Sequence, residues 1–424
     1  MGKVITSILD PVRPASGELL LQKSIIGRWQ DVSTLLARVM AIIAIFSLAL
    51  SPNVVKITLP AAVLFSLLSG NWQKKYQLLK KNSVVILAII LVLLFAIGTL
   101  YSKAPWSQIA TGFFKYTKIL YLLFLLPLFA EQKWRKIATN TLIVSIFLDI
   151  VVCFLVSRGI IVDKQFYPGG YAHYAINTSA ILGFVEFVLI NRAIDIKKYR
   201  WFYLFLFCIG FYSLFFPYTE RTGQLVFLGL IVLGLWQRFS WRGIVTSFVV
   251  LPLLVGGLFL FSPSFHGRVV AGVSDIVTYK KNAITSVGLR LAFAQYSFKA
   301  IKAHPIFGNG TGSFMSVYAT TGGPCINGSV PCVDLQDPHN EYVILAVQLG
   351  GLGLICLLLW LTMQWFDTRK LPLSEKRLAQ GIILSFIIIG FCNTALFIGL
   401  SGLFYIVFLS VYFAARYDNN LNIT

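Results

Sequence analysis

His339 is the residue in this chain best suited to moving a proton. It stands in Asp337-Pro338-His339-Asn340-Glu341-Tyr342, just ahead of a long apolar run. A neutral imidazole with an ordinary pKa of about 6.5 can take a proton from a sugar hydroxyl near neutral pH. Pro338 fixes the approach to the following helix, and Asn340 or His339 can cap it, so a capping His is the plainer account. Glu341 can orient the imidazole or serve as an alternative base.

Three arginines are the second group of interest. Arg221 falls in Tyr218-Thr219-Glu220-Arg221-Thr222-Gly223, at the turn between two apolar runs. Near a helix centre in a bilayer an arginine costs about 3 kcal/mol unless it finds an anion or a water-filled cavity. Either Arg221 pairs with Glu220 or snorkels to the interface, or it faces a cavity and binds diphosphate oxygens with its planar fork. Arg290, in Ser286-Val287-Gly288-Leu289-Arg290-Leu291, falls in the first turn of a predicted helix whose apolar residues hold it against the membrane. Arg268 lies upstream, where a solvated helix face is the plain alternative.

Lys115 and Lys118 open an apolar run, where they snorkel or Lys118 extends the same positive cavity. His173 and Asn177 start another run after Pro168-Gly169-Gly170, with packing or interfacial anchoring as the alternative. Asp149 and Glu186 lie inside runs, where acids are functional by default unless they reach headgroups. His266 and His304 have no evident partner. Nothing reads as a GxxxxGK[ST] phosphate loop, an HExxH or a CxxC pair, so neither ATP-driven transport nor a metal or other cofactor is expected.

These residues must be positioned by elements built for lipid. Of 424 residues 57% are hydrophobic and 12% charged, against about 25% charged in soluble domains. Apolar runs long enough to cross about 30 Å of hydrocarbon, or nearly so with tilt, recur near 33–50, 54–70, 83–101, 112–130, 137–156, 172–191, 201–217, 222–237, 243–262, 341–365, 378–398 and 400–415. The expected fold is therefore all-α: a polytopic integral membrane protein of about twelve transmembrane helices, residues 1–424 forming a single membrane domain.

Every second connector is basic, among them those with Lys74 and Lys75, Lys133 to Lys136, Lys197 to Arg200, Arg238 and Arg242, and Arg369 to Arg377. By the positive-inside rule those connectors are cytoplasmic, and 263–340 is one large periplasmic loop. Within it, Leu289, Phe293, Tyr296 and Ile301 recur at helical spacing, predicting a membrane-surface helix from Gly288 to Ala303 that stops at His304-Pro305. Gly308-Asn309-Gly310-Thr311-Gly312 then reads as a flexible turn. No removable signal peptide is expected before Leu35.

The net charge of +20 sits in short connectors and forms no single basic face, which argues against nucleic acid and leaves membrane lipids and lipid diphosphates as partners. Cys153, Cys208, Cys356 and Cys392 sit in apolar runs as small hydrophobes. Cys325 and Cys332 bracket a polar stretch of the loop, where a local disulfide or two free thiols is expected. Cations and one base on the periplasmic side of such a bundle suit a lipid-diphosphate donor and a proton-accepting group.

At Glu220-Arg221-Thr222, the run from Asn282 through Arg290 to Ala294, His304-Pro305 with its Gly-rich turn, and His339-Asn340-Glu341, the chain resembles the bacterial O-antigen ligase family, over most of Tyr167 to Gly353. The resemblance implies a glycosyltransferase in the bacterial inner membrane with a periplasmic active site. It would move O-antigen glycan from undecaprenyl diphosphate to lipid A-core, with inversion and without a metal. His339 would activate the acceptor hydroxyl, and Arg221 and Arg290 would bind the diphosphate. Arg268, Lys118, His173, Asn177, Asn340 and Glu341 are the candidate substrate-binding residues. An O-antigen polymerase, a protein O-oligosaccharyltransferase and, outside enzymes, a lipid-linked glycan flippase are the alternatives; few ionisable residues near mid-bilayer argue against the last.

Overall fold

A computed structural model describes residues 16–80, 82–160, 175–217, 220–279, 285–323 and 337–420. Every long element among them is a helix: α1 (Ser16–Ser47), α2 (Pro52–Leu68), α3 (Trp72–Leu79), α4 (Ser83–Tyr101), α5 (Trp106–Tyr116), α6 (Tyr121–Leu128), α7 (Gln132–Ser157), α8 (Ala175–Asp195), α9 (Arg200–Phe215), α10 (Arg221–Phe239), α11 (Trp241–Phe261), α12 (Pro263–Thr278), α13 (Ser286–Ala303), α14 (Phe314–Thr320), α15 (Glu341–Asp367), α16 (Leu373–Cys392) and α17 (Gly399–Phe413). The chain is an all-α, multi-pass membrane protein.

Each of the twelve predicted apolar runs overlaps a helix, though the run 378–398 leaves its helix at Cys392. Nine helical segments among the described residues are long and apolar enough to cross a membrane, the joined α5 and α6 counting as one; α2 and α3, bent by 114°, make a tenth if taken as one span. The other two runs correspond to α9, which has 16 residues, and α16, whose first turns carry Glu375, Lys376 and Arg377. Local chemistry sets the helix starts. Asn82 accepts a hydrogen bond from the Val84 amide, Ser262 from Phe265 ahead of Pro263, and Thr285 from Gly288, each relieving an amide that the first turn leaves unpaired.

Burial sorts the helices into centre and rim. α8 and α17 are mostly buried, and Phe184 packs on Phe404, Phe408 and Tyr412 at ring-centroid distances of 5.6, 6.2 and 6.3 Å. α11 instead exposes Phe248, Val249, Leu253, Leu260 and Phe261 along its length. Such a surface is unfavourable in water and suits hydrocarbon. At one end of the bundle the basic connectors meet carboxylates: Arg135 bonds Asp418 at 2.6 Å, Arg238 bonds Asp195 at 3.1 Å, and Lys370 bonds Asp367 at 2.6 Å.

The segment 263–340 lies at the other end and is more helical than its sequence suggests, containing α12 and α14 besides the predicted α13. α13 ends at Ala303 with His304 as its cap, as expected. Phe293 on α13 is buried against α14, whereas α12 leaves Val269, Val273, Ile276 and Val277 exposed.

The Gly308–Gly312 stretch is not a flexible turn. α15 breaks at Gly350, where φ is +63° and ψ is −156°. The stretch lies along that break, with Asn309 and Gly310 donating their amides to the carbonyls of Val347 and Gln348 at 2.9 and 2.8 Å. Gly351 and Leu352 donate in turn to Pro305 and Ile306. Backbone groups released by a broken helix need partners where water is excluded, and this segment supplies them. Gly308, Gly310 and Gly312 all have positive φ, the backbone that glycine alone adopts without cost.

Candidate active site

The loop ahead of α15 is tied down by its own polar residues. Asn340 caps the helix, its Oδ1 accepting the Val343 amide at 3.0 Å. His339 has φ +50°, a left-handed conformation for a residue with a Cβ. Such strain costs on the order of 1–3 kcal/mol and persists where surrounding bonds hold it. Here Asp337 Oδ1 accepts the His339 amide at 2.8 Å and the Thr394 hydroxyl at 2.7 Å.

Those bonds also select the imidazole tautomer. Nδ1 of His339 lies 3.2 Å from Asn393 Oδ1 and 3.3 Å from Asp337 Oδ1. The sense of the Asn393 amide is fixed because the same Oδ1 accepts the Thr394 amide at 3.0 Å. With acceptors on both counts, Nδ1 carries the hydrogen and Nε2 keeps its lone pair. The ring is partly exposed and stands edge-on to Phe293, centroids 6.2 Å apart. The base sequence reasoning singled out is thus oriented by Asp337 and Asn393, not by Glu341.

The three arginines come from three helices to one place. Arg221 begins α10, Arg268 lies on α12 and Arg290 on α13, and Arg268, Asp275, Arg290 and Glu220 are all within electrostatic reach of Arg221. Glu220 does not pair with its neighbour: its Oε1 is 3.8 Å from Arg268. Asp275 accepts the Val287 amide at the start of α13. A Cβ at Gly272 would stand 3.1 Å from Arg221 Nη1, so this glycine leaves the space the guanidinium uses.

Two connections bring the arginines to His339. Arg290 and Phe293 are three residues apart and so share one face of α13, and Phe293 touches the imidazole. Cys392 lies in the field of Arg290 and beside Thr222, and the next two residues, Asn393 and Thr394, are those that hold the His339 loop. Among the described residues, three guanidiniums and two carboxylates gather here, linked to the His339 loop through Phe293 and through Cys392 to Thr394. Close by, burial and then the neighbouring Tyr296 and Tyr279 hold the Tyr318 phenol well above its usual pKa, keeping it neutral.

The remaining candidates lie elsewhere. Asn340 donates its amide to Phe391 O at 3.3 Å besides capping α15. Glu341 is fully buried and accepts the Leu396 amide at 2.6 Å. Lys118 is buried in the turn between α5 and α6, within electrostatic reach of Glu341. Asn177 accepts the Ser401 hydroxyl, joining α8 to α17. His173, Tyr218, Asn282, Cys325 and Cys332 lie outside the described residues. Sequence reasoning missed Asn393 and Thr394, although an Asn-Thr pair interrupting the predicted run 378–398 was a visible signal.

Residues 204–358 match the family model described as O-antigen ligase. No curated protein compared with the chain matches it. The matched segment holds Arg221, Arg268, Arg290 and His339, the whole set that the structure gathers apart from Asn393 and Thr394. Activity in this family is glycosyl transfer of the O-antigen ligase or polymerase type. On that match, residues 204–358 are similar to the O-antigen ligase family that the sequence resemblance pointed to.

Proposed function

We propose that the chain transfers O-antigen glycan from undecaprenyl diphosphate to lipid A-core at the periplasmic face of the bacterial inner membrane. The observation that carries this reading is the arginine cluster at the start of α10, linked through Phe293 and through Cys392 to Thr394 to the loop that holds His339. Arg221 and Arg290 hold the diphosphate, each able to offer two parallel N–H donors to its oxygens. Their charge stabilises the diphosphate as its bond to the anomeric carbon breaks, the role a metal plays in other transferases. Arg268, tied to Glu220, adds to the field. His339 Nε2 takes the proton of the acceptor hydroxyl, and that oxygen attacks the anomeric carbon from the face opposite diphosphate, with inversion. The Asp337 carboxylate steadies the imidazolium that forms.

The test is transfer in vitro by purified protein, with undecaprenyl-diphosphate-linked glycan and lipid A-core in the presence of EDTA, comparing wild type with His339→Ala. Glycan on lipid A-core in wild type and its loss in the variant support the reading. Elongation of the donor with bare lipid A-core points to a polymerase, and an untouched donor overturns glycosyl transfer to either acceptor.

A further inference from the structure

α5 is a short amphipathic helix that opens the candidate membrane-crossing segment Trp106–Leu128, and its polar side is unusual for that setting. Ser107, Gln108, Thr111 and Lys115 fall at i, i+1, i+4 and i+8, a single stripe along the helix. Polar stripes on spanning helices face neighbours or cavities, not lipid. The upper part of this one faces a cavity of about 180 Å3 that Ser107, Gln108 and Thr111 share with Gly312, Phe314 and Phe397. Gln108 Oε1 accepts the Ser316 hydroxyl at 2.9 Å, which ties α5 to α14 across the cavity rim. Gly312 is needed at the contact: a Cβ there would run into the α5 backbone at Gln108.

The cavity wall is linked to His339 through two ring contacts. Lys115, at the lower end of the stripe, holds its ammonium 3.8 Å from the Phe397 ring centroid and is within electrostatic reach of Asp337. On the other wall Phe314 is 6.2 Å from Phe293, which in turn stands 6.2 Å from His339. The arginines lie on α10, α12 and α13, whereas this cavity lies between α5 and α14, with Phe314 and Phe293 between it and His339.

From these observations we infer that the cavity between α5 and α14 is a subsite for one sugar ring of the acceptor. Hydroxyl and amide groups along one wall with two phenylalanine rings among the others match a pyranose, which has a rim of hydroxyls and apolar C–H faces. Its volume, below the ~300–1,000 Å3 of drug-sized sites, fits one ring and not a chain. A lipid tail would leave the Ser107 and Thr111 hydroxyls facing it desolvated. This inference rests on the glycosyl-transfer reading above.

The experiment uses the full chain in detergent and measures KM separately for lipid A-core and for the lipid-linked donor, in wild type, Thr111→Val and Gln108→Ala. Each variant removes one polar group at nearly constant backbone, and each is expected to raise the acceptor KM about five- to tenfold while the donor KM stays within about twofold. Binding of free core saccharide to each protein, followed by ligand-observed NMR, is expected to weaken in parallel and reports on the cavity even if a variant turns over poorly. Unchanged acceptor KM and saccharide binding in both variants, in a wild type that does transfer, overturn the subsite and leave the ligase reading intact. If wild type extends the donor instead, the ligase reading falls. The subsite is then judged by the same shift in KM for the growing glycan, and no shift overturns it.

Discussion

Nδ1 of His339 lies 3.3 Å from the Asp337 carboxylate oxygen that also accepts the His339 amide at 2.8 Å. One oxygen thus holds both the strained backbone and the ring of the same residue. Asp337→Asn can keep the backbone bond while losing the charge that favours an imidazolium. A hydrogen bond to a charged group contributes about 1.5–3 kcal/mol, so kcat is expected to fall about 10- to 100-fold with little change in either KM. A fall confined to KM would show that Asp337 shapes binding and not proton transfer.

Removing the base itself is expected to cost more. General-base catalysis supplies about 10²–10⁴-fold, so His339→Ala should lose that much in kcat. His339→Gly is the informative companion, because glycine accepts φ +50° without strain. Equal loss of activity in the two, with higher thermal stability in the glycine variant, is the expected result. Recovery of activity in the glycine variant would mean that the backbone, not the imidazole, matters.

Arg221 and Arg290 distinguish fork from charge. Lysine keeps the charge and gives up the planar pair of donors. Arg221→Lys and Arg290→Lys are expected to lower kcat/KM for the lipid-diphosphate donor about tenfold or more, with the acceptor KM unaffected. Arg268→Lys, already leaning on Glu220 at 3.8 Å, is expected to change it less than threefold. Steady-state kinetics with varied donor settles the order.

What the sequence made legible was whatever depends on composition and period. All twelve apolar runs overlap helices, and Arg221, Arg268 and Arg290 come together as cations lying off the basic side of the bundle would. What it concealed depends on contacts between distant segments. Asn393 is 54 positions from His339 and orients it. Glu341, two residues from His339, turns the other way, to the Leu396 amide. Gly308–Gly312 read as a flexible turn because glycine signals permissive backbone, yet here that permissiveness serves close packing on the break in α15. The break also bears on the transporter alternative: its freed carbonyls at Val347 and Gln348 are taken by amides of the same chain and are not offered to a passing ion.

That packing predicts a stability defect. Gly308 and Gly350 both have positive φ, and a Cβ on either would collide with backbone of the other's segment. Gly350→Ala and Gly308→Ala are each expected to destabilise the protein by at least about 2 kcal/mol from left-handed strain and clash together. Gly256→Ala, with nothing within 4 Å of the added carbon, is the control and should leave the thermal midpoint in detergent unchanged. Equal midpoints for all three would mean that the 305–312 segment is not held as described.

Lys118 and Glu341 form the last case, an amine and a carboxyl group buried within each other's electrostatic reach. The Lys118 ammonium makes no hydrogen bond among the described residues, and one Glu341 oxygen makes none either. Breaking a buried pair from one side strands the other charge, at about 3–5 kcal/mol, while removing both can be nearly neutral. Lys118→Met and Glu341→Gln are therefore each expected to lower stability markedly, and the double variant to recover most of the loss. Glutamine retains an oxygen for the Leu396 amide, so the single Glu341 variant tests the charge and not the cap. Additive losses in the double-mutant cycle would show that the two groups are not coupled.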